Sequence, residues 1–374
     1  MAHMRYSFLL EPKFYAYLVT EAAASLRKIV QRYRRQGRLP AHLGHLRWRT
    51  DLHLDCPERL SIAPTAIIGQ GAVFGVPSWI GEQDPARLIV RDKAYIGSGV
   101  ELGLTPGAIL DIGENTSMHH GCVILGNVAI GRNCIFAYNI YVAAGTHVIQ
   151  RKPEWLIKDQ DEEFSASQPR ERTVIEDDVW VGWGVFIKSG ATIGRGAVIG
   201  ANSVVTTDIE PYAIYAGAPA KRIGERLRFE PPERLSALRD EDMPYFYAGF
   251  AGDRASLRQS RERRIISCAR NPVRVRMRMN GTGTLSIAGN VDSDARHGTI
   301  SVSINGKQVG TGRVLKGSFE ERFDVAAEIL AEPIAASGTE VTISTEGIPE
   351  RSWGIREITW QSGSRSMSGQ PGTS

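Results

Sequence analysis

Along the middle of this chain an apolar side chain returns at every sixth residue. One run reads Ile112, Met118, Ile124, Ile130, Phe136 and Val142, and a second reads Ile175, Val181, Ile187, Ile193, Ile199 and Val205. Four residues after these anchors stands a second, mostly smaller series: Thr116, Cys122, Val128, Cys134, Ile140 and Thr146, then Val179, Val185, Ala191, Ala197 and Ser203. Both positions must face an interior. A helix needs a period of about 3.6 and would not tolerate the glycines that follow many anchors, such as Gly113, Gly131, Gly182, Gly194 and Gly200. Such glycines suit a chain that bends sharply at each repeat. The pattern predicts a mainly β fold whose core is a stack of short strands and corners. Weaker members at Ile62, Ile68, Phe74, Val90 and Ile96, interrupted near Pro77 and Pro85, put the coil at 60–228.

The flanks follow other periods. Residues 1–59 read as a helical arm, with Met1 to His3 a cloning remnant ahead of Met4. Within 5–38, Leu18, Ala22, Leu26, Ile29 and Tyr33 share one helical face, and Arg27, Lys28, Arg32, Arg34, Arg35 and Arg38 gather late. Cations at a helix C-terminus suit its dipole; the same pattern also fits a basic amphipathic helix resting on an anionic membrane surface. Residues 229–264 are charged, include Pro231 and Pro232, and read as a helical linker. From Ile265 the period becomes two, in Val273-Val275-Met277-Met279, Leu285-Ile287, Ile300-Val302-Ile304 and Val341-Ile343, with turns such as Asn305-Gly306 between. This predicts an antiparallel β-sandwich over 265–362, with Trp353 and Trp360 as outward candidates for stacking on carbohydrate, and a disordered tail over 363–374.

Composition changes this picture little. With 374 residues, 42% apolar and 23% charged, the chain suits two or three globular domains. No uninterrupted apolar run of about 18 residues and no signal-peptide pattern occurs, so the expected compartment is the cytoplasm. A net charge of +4 does not call for nucleic acid. The four cysteines, Cys56, Cys122, Cys134 and Cys268, lack zinc-ligand spacing, so they read as reduced core thiols and no metal is expected.

The chemistry points to the gap between the two runs. From about 148 to 172 the period breaks into a polar stretch, and His147 stands immediately before it. An insertion extruded from a repeat coil becomes a loop on one face, where binding concentrates. An outward imidazole there can take a hydroxyl proton as the alcohol attacks a thioester, without any separate nucleophile. Glu162 and Glu163 are candidates to orient His147 or to grip acceptor hydroxyls.

The stretch Asn139-Ile140-Tyr141-Val142-Ala143-Ala144-Gly145-Thr146-His147, followed by Val179-Trp180-Val181-Gly182-Trp183-Gly184, Ile199-Gly200-Ala201-Asn202-Ser203-Val204-Val205-Thr206-Thr207-Asp208 and Gly217-Ala218-Pro219-Ala220-Lys221, resembles the galactoside, maltose and nodulation-sugar O-acetyltransferases. Those enzymes are left-handed parallel β-helices of hexapeptide repeats. The resemblance spans roughly 60–228 and implies acetyl-CoA as donor, a carbohydrate acceptor, a homotrimer with sites between subunits, and His147 as general base. By the same resemblance the Trp183 backbone N–H would stabilise the oxyanion. Trp180, Gly182, Gly184, Ala201, Ser203, Thr206, Thr207 and Pro219 would line the cofactor arm, and Lys221 and Arg222 would meet its phosphates. Where the family often has lysine this chain has Thr207, with Arg226 a further cation nearby. His119 falls near an acceptor-holding asparagine of the family, with His120 beside it, and Asn139 matches a recurrent asparagine that also suits turn chemistry. N-acylation of an amino sugar and a non-catalytic scaffold remain alternatives.

Overall fold

The computed structural model describes residues 39–363 apart from 47–48, 50, 76–83, 166–170, 251–264, 269–270, 293–297, 331–337 and 351. The basic helix expected over 5–38, the excursion at Pro77 and the tail beyond Gly363 lie outside these residues. The chain divides into two compact units after Leu227.

In the first unit the six-residue period becomes three parallel sheets visited in rotation, the left-handed parallel β-helix that the family resemblance implies. The first sheet holds His53–Leu54, Val73–Gly75, Glu101–Gly103, Val123–Leu125, Tyr141–Val142, Phe186–Ile187 and Val204–Val205. The second holds Leu60–Ile62, Arg87–Val90, Ile109–Ile112, Val128–Ile130, Thr173–Ile175 and Thr192–Ile193. The third runs from Ile67–Ile68 through Tyr95–Ile96, Ser117–Met118, Ile135–Phe136, Trp180–Val181 and Val198–Ile199 to Ala213–Ala216, where Lys221–Glu225 adds an antiparallel edge. The coil thus begins at His53, slightly before the position expected from the anchors. Register places each anchor on the equivalent anchor of the next coil, as in Ile124 on Val142, Ile130 on Ile175 and Phe136 on Val181. All are buried, and each fully buried side chain of this size contributes roughly 1.5–3 kcal/mol relative to exposure.

The glycines after the anchors answer a different demand from the expected bend. Gly113 and Gly131 have ordinary negative φ; a Cβ on Gly113 would lie 2.1 Å from the Gly131 carbonyl oxygen, and one on Gly131 2.6 Å from the Asp177 amide. Close stacking of successive corners excludes the side chain. The sharp bend falls two residues later, where Lys93, Asn115, Asn133, Asn139, Asp178 and Asn202 all hold φ between 56° and 62°. Asparagine and aspartate tolerate this left-handed conformation better than most residues.

The second unit is an antiparallel sandwich. One sheet orders Arg234–Ser236, Trp353–Ser362, Gly283–Val291 and Gly317–Val325, and the other orders Val273–Met277, Thr339–Glu346, Gly298–Ile304 and Lys307–Val314. The Asn305-Gly306 hairpin turn has positive φ at both residues, as its sequence predicts. Two expectations fail here. Trp353 and Trp360 are buried core side chains, 2% and 5% exposed: a bulge opposite Ala288 and Gly289 changes the strand's inward set from 353 and 355 to 358 and 360, so both rings face in and offer nothing to a sugar outside. Part of the stretch read as linker belongs to the sandwich: Arg234–Ser236 pairs with Glu357–Thr359, and Tyr245, Phe246 and Phe250 enter the core.

Candidate active site

The repeat breaks where the first sheet hands the chain to the second. The chain leaves the first sheet at Val142 and rejoins the second at Thr173, and the excursion folds on itself through the helix Ile157–Phe164. Gln160 is its buried pin, accepting from the Lys152 amide at 3.1 Å and donating to the Trp155 carbonyl at 3.3 Å. Lys152 places its ammonium 3.8 Å from the Trp155 ring centre, which closes the turn from the other side.

One residue after Gln160, Asp161 turns back toward the coil. Its Oδ1 accepts the Val148 amide at 2.7 Å, and its Oδ2 takes a short hydrogen bond from His147 Nδ1. The Val148 amide above all, and then His147, hold the Asp161 carboxyl below the usual aspartate range. The bond assigns the proton to Nδ1 and leaves the lone pair on Nε2, in a side chain that is 79% exposed. An oriented, solvent-facing imidazole with a carboxylate behind it is the arrangement of a general base.

Sequence reasoning missed Asp161 by one residue. Glu162 and Glu163 are exposed, and Glu162 faces Lys158 at 4.0 Å, one turn along the same helix; neither bonds His147. Nothing in the periodicity marks which of the adjacent acids of Asp159-Gln160-Asp161-Glu162-Glu163 points inward. That depends on the helix phase set by buried Gln160.

The other expected residues divide between places. Asn139, Trp183 and Gly184 lie on corners leading into the strands Tyr141–Val142 and Phe186–Ile187, whereas His147 follows the far end of the former. Within one chain the expected base and the expected oxyanion donor therefore sit at opposite ends of the first sheet. The amides of Trp183 and Ala201 donate to no backbone carbonyl among the described residues, and both side chains are exposed. Gly182 is buried, and a Cβ there would lie 2.7 Å from the Ala201 amide, so the close stacking of corners excludes a side chain. Trp180 is exposed on the third sheet, beside Ile135 and Val198. Thr206, Thr207 and Pro219 are exposed, as is Lys221, which has no ion pair among the described residues.

Two of these expectations need revision. Ser203 is fully buried, donating its hydroxyl proton to the Gly200 carbonyl at 2.6 Å and accepting from the Gly217 amide at 3.1 Å, so it serves the coil. Arg222 is tied to Glu225 at 2.5 Å, and Arg226 reaches Asp178 at 3.1 Å and the Gly196 carbonyl at 2.9 Å. Asn139 occupies the left-handed corner position shared with Asn115, Asn133 and Asn202, which accounts for it without a ligand. Among the described residues no group of three His, Cys, Asp or Glu side chains is placed to hold a metal, and no helix is long and apolar enough to cross a membrane.

Residues 172–207, the second run with its first corner, match the model described as bacterial transferase hexapeptide (six repeats). These residues carry hexapeptide repeats of that description. A chloramphenicol acetyltransferase from Klebsiella aerogenes is 51% identical over 67 residues, 18% of this chain and 32% of the relative. The galactoside O-acetyltransferase of Escherichia coli K12 is 29% identical over 146 residues, 38% of this chain and 62% of the relative. The chain thus spans less than two thirds of the length of these relatives. Among solved structures, a hexapeptide-repeat-containing acetyltransferase from Vibrio cholerae, solved with acetyl coenzyme A, is 19% identical, with a TM-score of 0.30 over 55% of this chain and 88% of that one. These relatives are named acetyltransferases.

Proposed function

We propose that the chain is an acetyl-CoA-dependent O-acetyltransferase acting on a sugar hydroxyl. The observation that carries this reading is His147, exposed at the mouth of the excursion between Val142 and Thr173, with Nδ1 held by Asp161 and Nε2 free. Nε2 takes the proton of the acceptor hydroxyl as its oxygen attacks the thioester carbonyl. The Trp183 amide donates to the carbonyl oxygen as negative charge develops there, a fixed dipole that costs no reorganisation. The carbon–sulfur bond then breaks, and the imidazolium returns its proton to the departing thiolate, leaving the ester and free thiol.

Acetyl-CoA suits the residues available. The unbonded Ala201 amide, one coil beyond Trp183, offers a donor to an amide-bearing arm, and Lys221 offers an uncommitted cation to phosphate. The separation of His147 from Trp183 supports a site completed by a second copy, hence a closed homotrimer.

A thiol-release assay with acetyl-CoA and a panel of sugars tests the reading. Acceptor-dependent release should fall at least a hundredfold in His147→Ala. Retained release in that variant would remove His147 as the base, and no acetyl-CoA binding by calorimetry together with no release would remove the transferase reading.

A further inference from the structure

Three large apolar side chains stand in a row where the excursion enters its helix. Trp155, Leu156 and Ile157 are 40%, 72% and 53% exposed, and Ile149, two residues after His147, is 53% exposed. No other two consecutive large apolar residues are both exposed among the described residues. Such a run is a liability on a surface in water unless it has a use. It has none in forming the helix: Leu156 holds the cap position of Ile157–Phe164 and makes no side-chain bond to the helix amides, where Ser, Thr, Asp or Asn would stabilise them. The lip is nevertheless fixed in place. The Trp155 ring stacks on Phe164 with centres 6.2 Å apart, and the Trp155 amide donates to the Lys152 carbonyl at 2.8 Å.

The charges beside the lip are ordered. Residues 149–158 carry three cations, Arg151, Lys152 and Lys158, and one acid, Glu154. Lys158 faces Glu162, whereas Arg151 and Lys152 form no ion pair among the described residues and lie over rings, Lys152 on Trp155 and Arg151 at 5.6 Å from the Phe164 centre. The other acids, Asp159, Asp161, Glu162 and Glu163, follow along the helix; Asp161 is turned to His147, and Glu162 and Glu163 stand roughly 8 Å beyond Ile157 along the axis. Aliphatic side chains projecting past a tryptophan and two uncommitted cations suit the surface of a phospholipid bilayer. The aliphatic groups enter the acyl boundary to about 5–10 Å, the indole lies at headgroup level, the cations reach phosphate, and the acids of the last helical turn stay in water. The two cations favour phosphate-bearing lipid over a second copy of the chain as the cover.

We propose that Ile149, Trp155, Leu156 and Ile157 insert into a phospholipid bilayer while Arg151 and Lys152 meet its phosphates. The lip and His147 move as one piece, because Gln160 donates to the Trp155 carbonyl and the next residue, Asp161, holds the imidazole. Docking therefore sets His147 at the bilayer surface, and the acceptor is a membrane-borne sugar, a glycolipid headgroup. That last step rests on the acetyltransferase reading; the insertion does not.

The test is flotation of the full chain with vesicles of phosphatidylcholine and phosphatidylglycerol, without acetyl-CoA. The parent should float with them; Leu156→Asp combined with Ile157→Asp should weaken binding at least tenfold, Arg151→Gln with Lys152→Gln about two- to fivefold, and Leu156→Met less than twofold. The segment 5–38 also reads as a membrane-facing helix, so the readout is the difference between variants rather than binding alone. Brominated acyl chains should quench tryptophan emission in the parent and quench it less in Trp155→Phe, which still binds. Thermal unfolding and light scattering check that the aspartate variant keeps its fold and its mass. No flotation of the parent, unchanged flotation of the aspartate variant, or equal quenching in Trp155→Phe overturns the insertion, and so does a changed mass of the aspartate variant, which would put a second copy on these residues. Lip-dependent flotation of a chain that releases no thiol sinks only the transferase. Acceptor-dependent release from a chain that does not float sinks only the insertion.

Discussion

The two kinds of corner that flank the third sheet have been put to opposite uses. Corners from the second sheet to the third carry charge in five of six coils, at 91–94, 113–116, 131–134, 176–179 and 194–197. Those charges bond from coil to coil: Arg132 pairs with Asp177 at 2.9 Å, and Glu176 accepts the Arg195 amide at 2.8 Å. Corners from the third sheet to the first carry none and present rings instead, His119 stacked on Tyr138 with centres 5.0 Å apart. The backbone is nearly the same at both, with a left-handed residue three positions after every anchor but Ile62. The difference therefore lies in what the side chains meet: neighbouring coils at one edge, the outside at the other. The remaining corner, from first sheet to second, is where the chain leaves the coil and carries His147 out.

The sharpest break in this comparison is a side chain at a closed corner. Gly113→Ala drives a Cβ to 2.1 Å from the Gly131 carbonyl oxygen, so backbone must move. Denaturant unfolding should show a loss of about 3 kcal/mol, at the upper end of ordinary overpacking. A loss below about 1 kcal/mol would mean that the corners are free to slide apart.

Next in size is the link between excursion and coil. Asp161→Asn keeps the shape but removes the charge behind His147, and kcat should fall between tenfold and a hundredfold with KM for acetyl-CoA little changed. Glu162→Gln and Glu163→Gln should stay within twofold. Because the Asp161 pKa is lowered, its contribution is fully present above the unfolded value and lost only as pH falls through the folded one. The Asn variant should thus lose the same factor at pH 6 and pH 8; a deficit that vanishes at pH 6 would show that another group holds His147.

A smaller effect is expected where charge locks the coils. Arg132→Met removes a mostly buried pair, with side chains 13% and 19% exposed, whose carboxylate also accepts the Arg132 amide at 2.7 Å. A loss of about 1 kcal/mol with unchanged kcat is expected. A large drop in kcat would break the separation between a structural edge and a functional one.

The coil was legible because six-residue spacing is a strong constraint: Met118, Phe136 and Val181 could occupy no other face. The chain's exit from the coil at His147 was legible from the same constraint, as the last residue before the period fails. Asp161 was not, since helix phase inside an irregular excursion depends on the burial of Gln160, a polar residue that hydropathy places outside. Ser203 misled for the converse reason: a hydroxyl at a small inward position looks identical in sequence whether it serves the corner or a ligand. In the sandwich, alternation marked the strands but not which alternate faced in, and Trp360 lies on the inner set. The strand Arg234–Ser236 was missed because three residues between charged stretches carry no measurable period.

The smallest predicted effect decides what the left-handed corner position is for. Gly99 has φ +63°, and a Cβ there would meet nothing within 4 Å, so Gly99→Asn should leave stability within about 0.5 kcal/mol of the parent. Asn139→Gly makes the reciprocal change two corners further along the same edge, at φ +59°. If the asparagine is there for its backbone, this variant keeps both stability and acceptor KM near the parent values, since glycine adopts that conformation freely. If instead its amide holds the acceptor, KM rises while the unfolding midpoint stays where it was. Steady-state kinetics beside denaturant unfolding separates the two, and unchanged KM assigns Asn139 to the backbone of its corner rather than to a ligand.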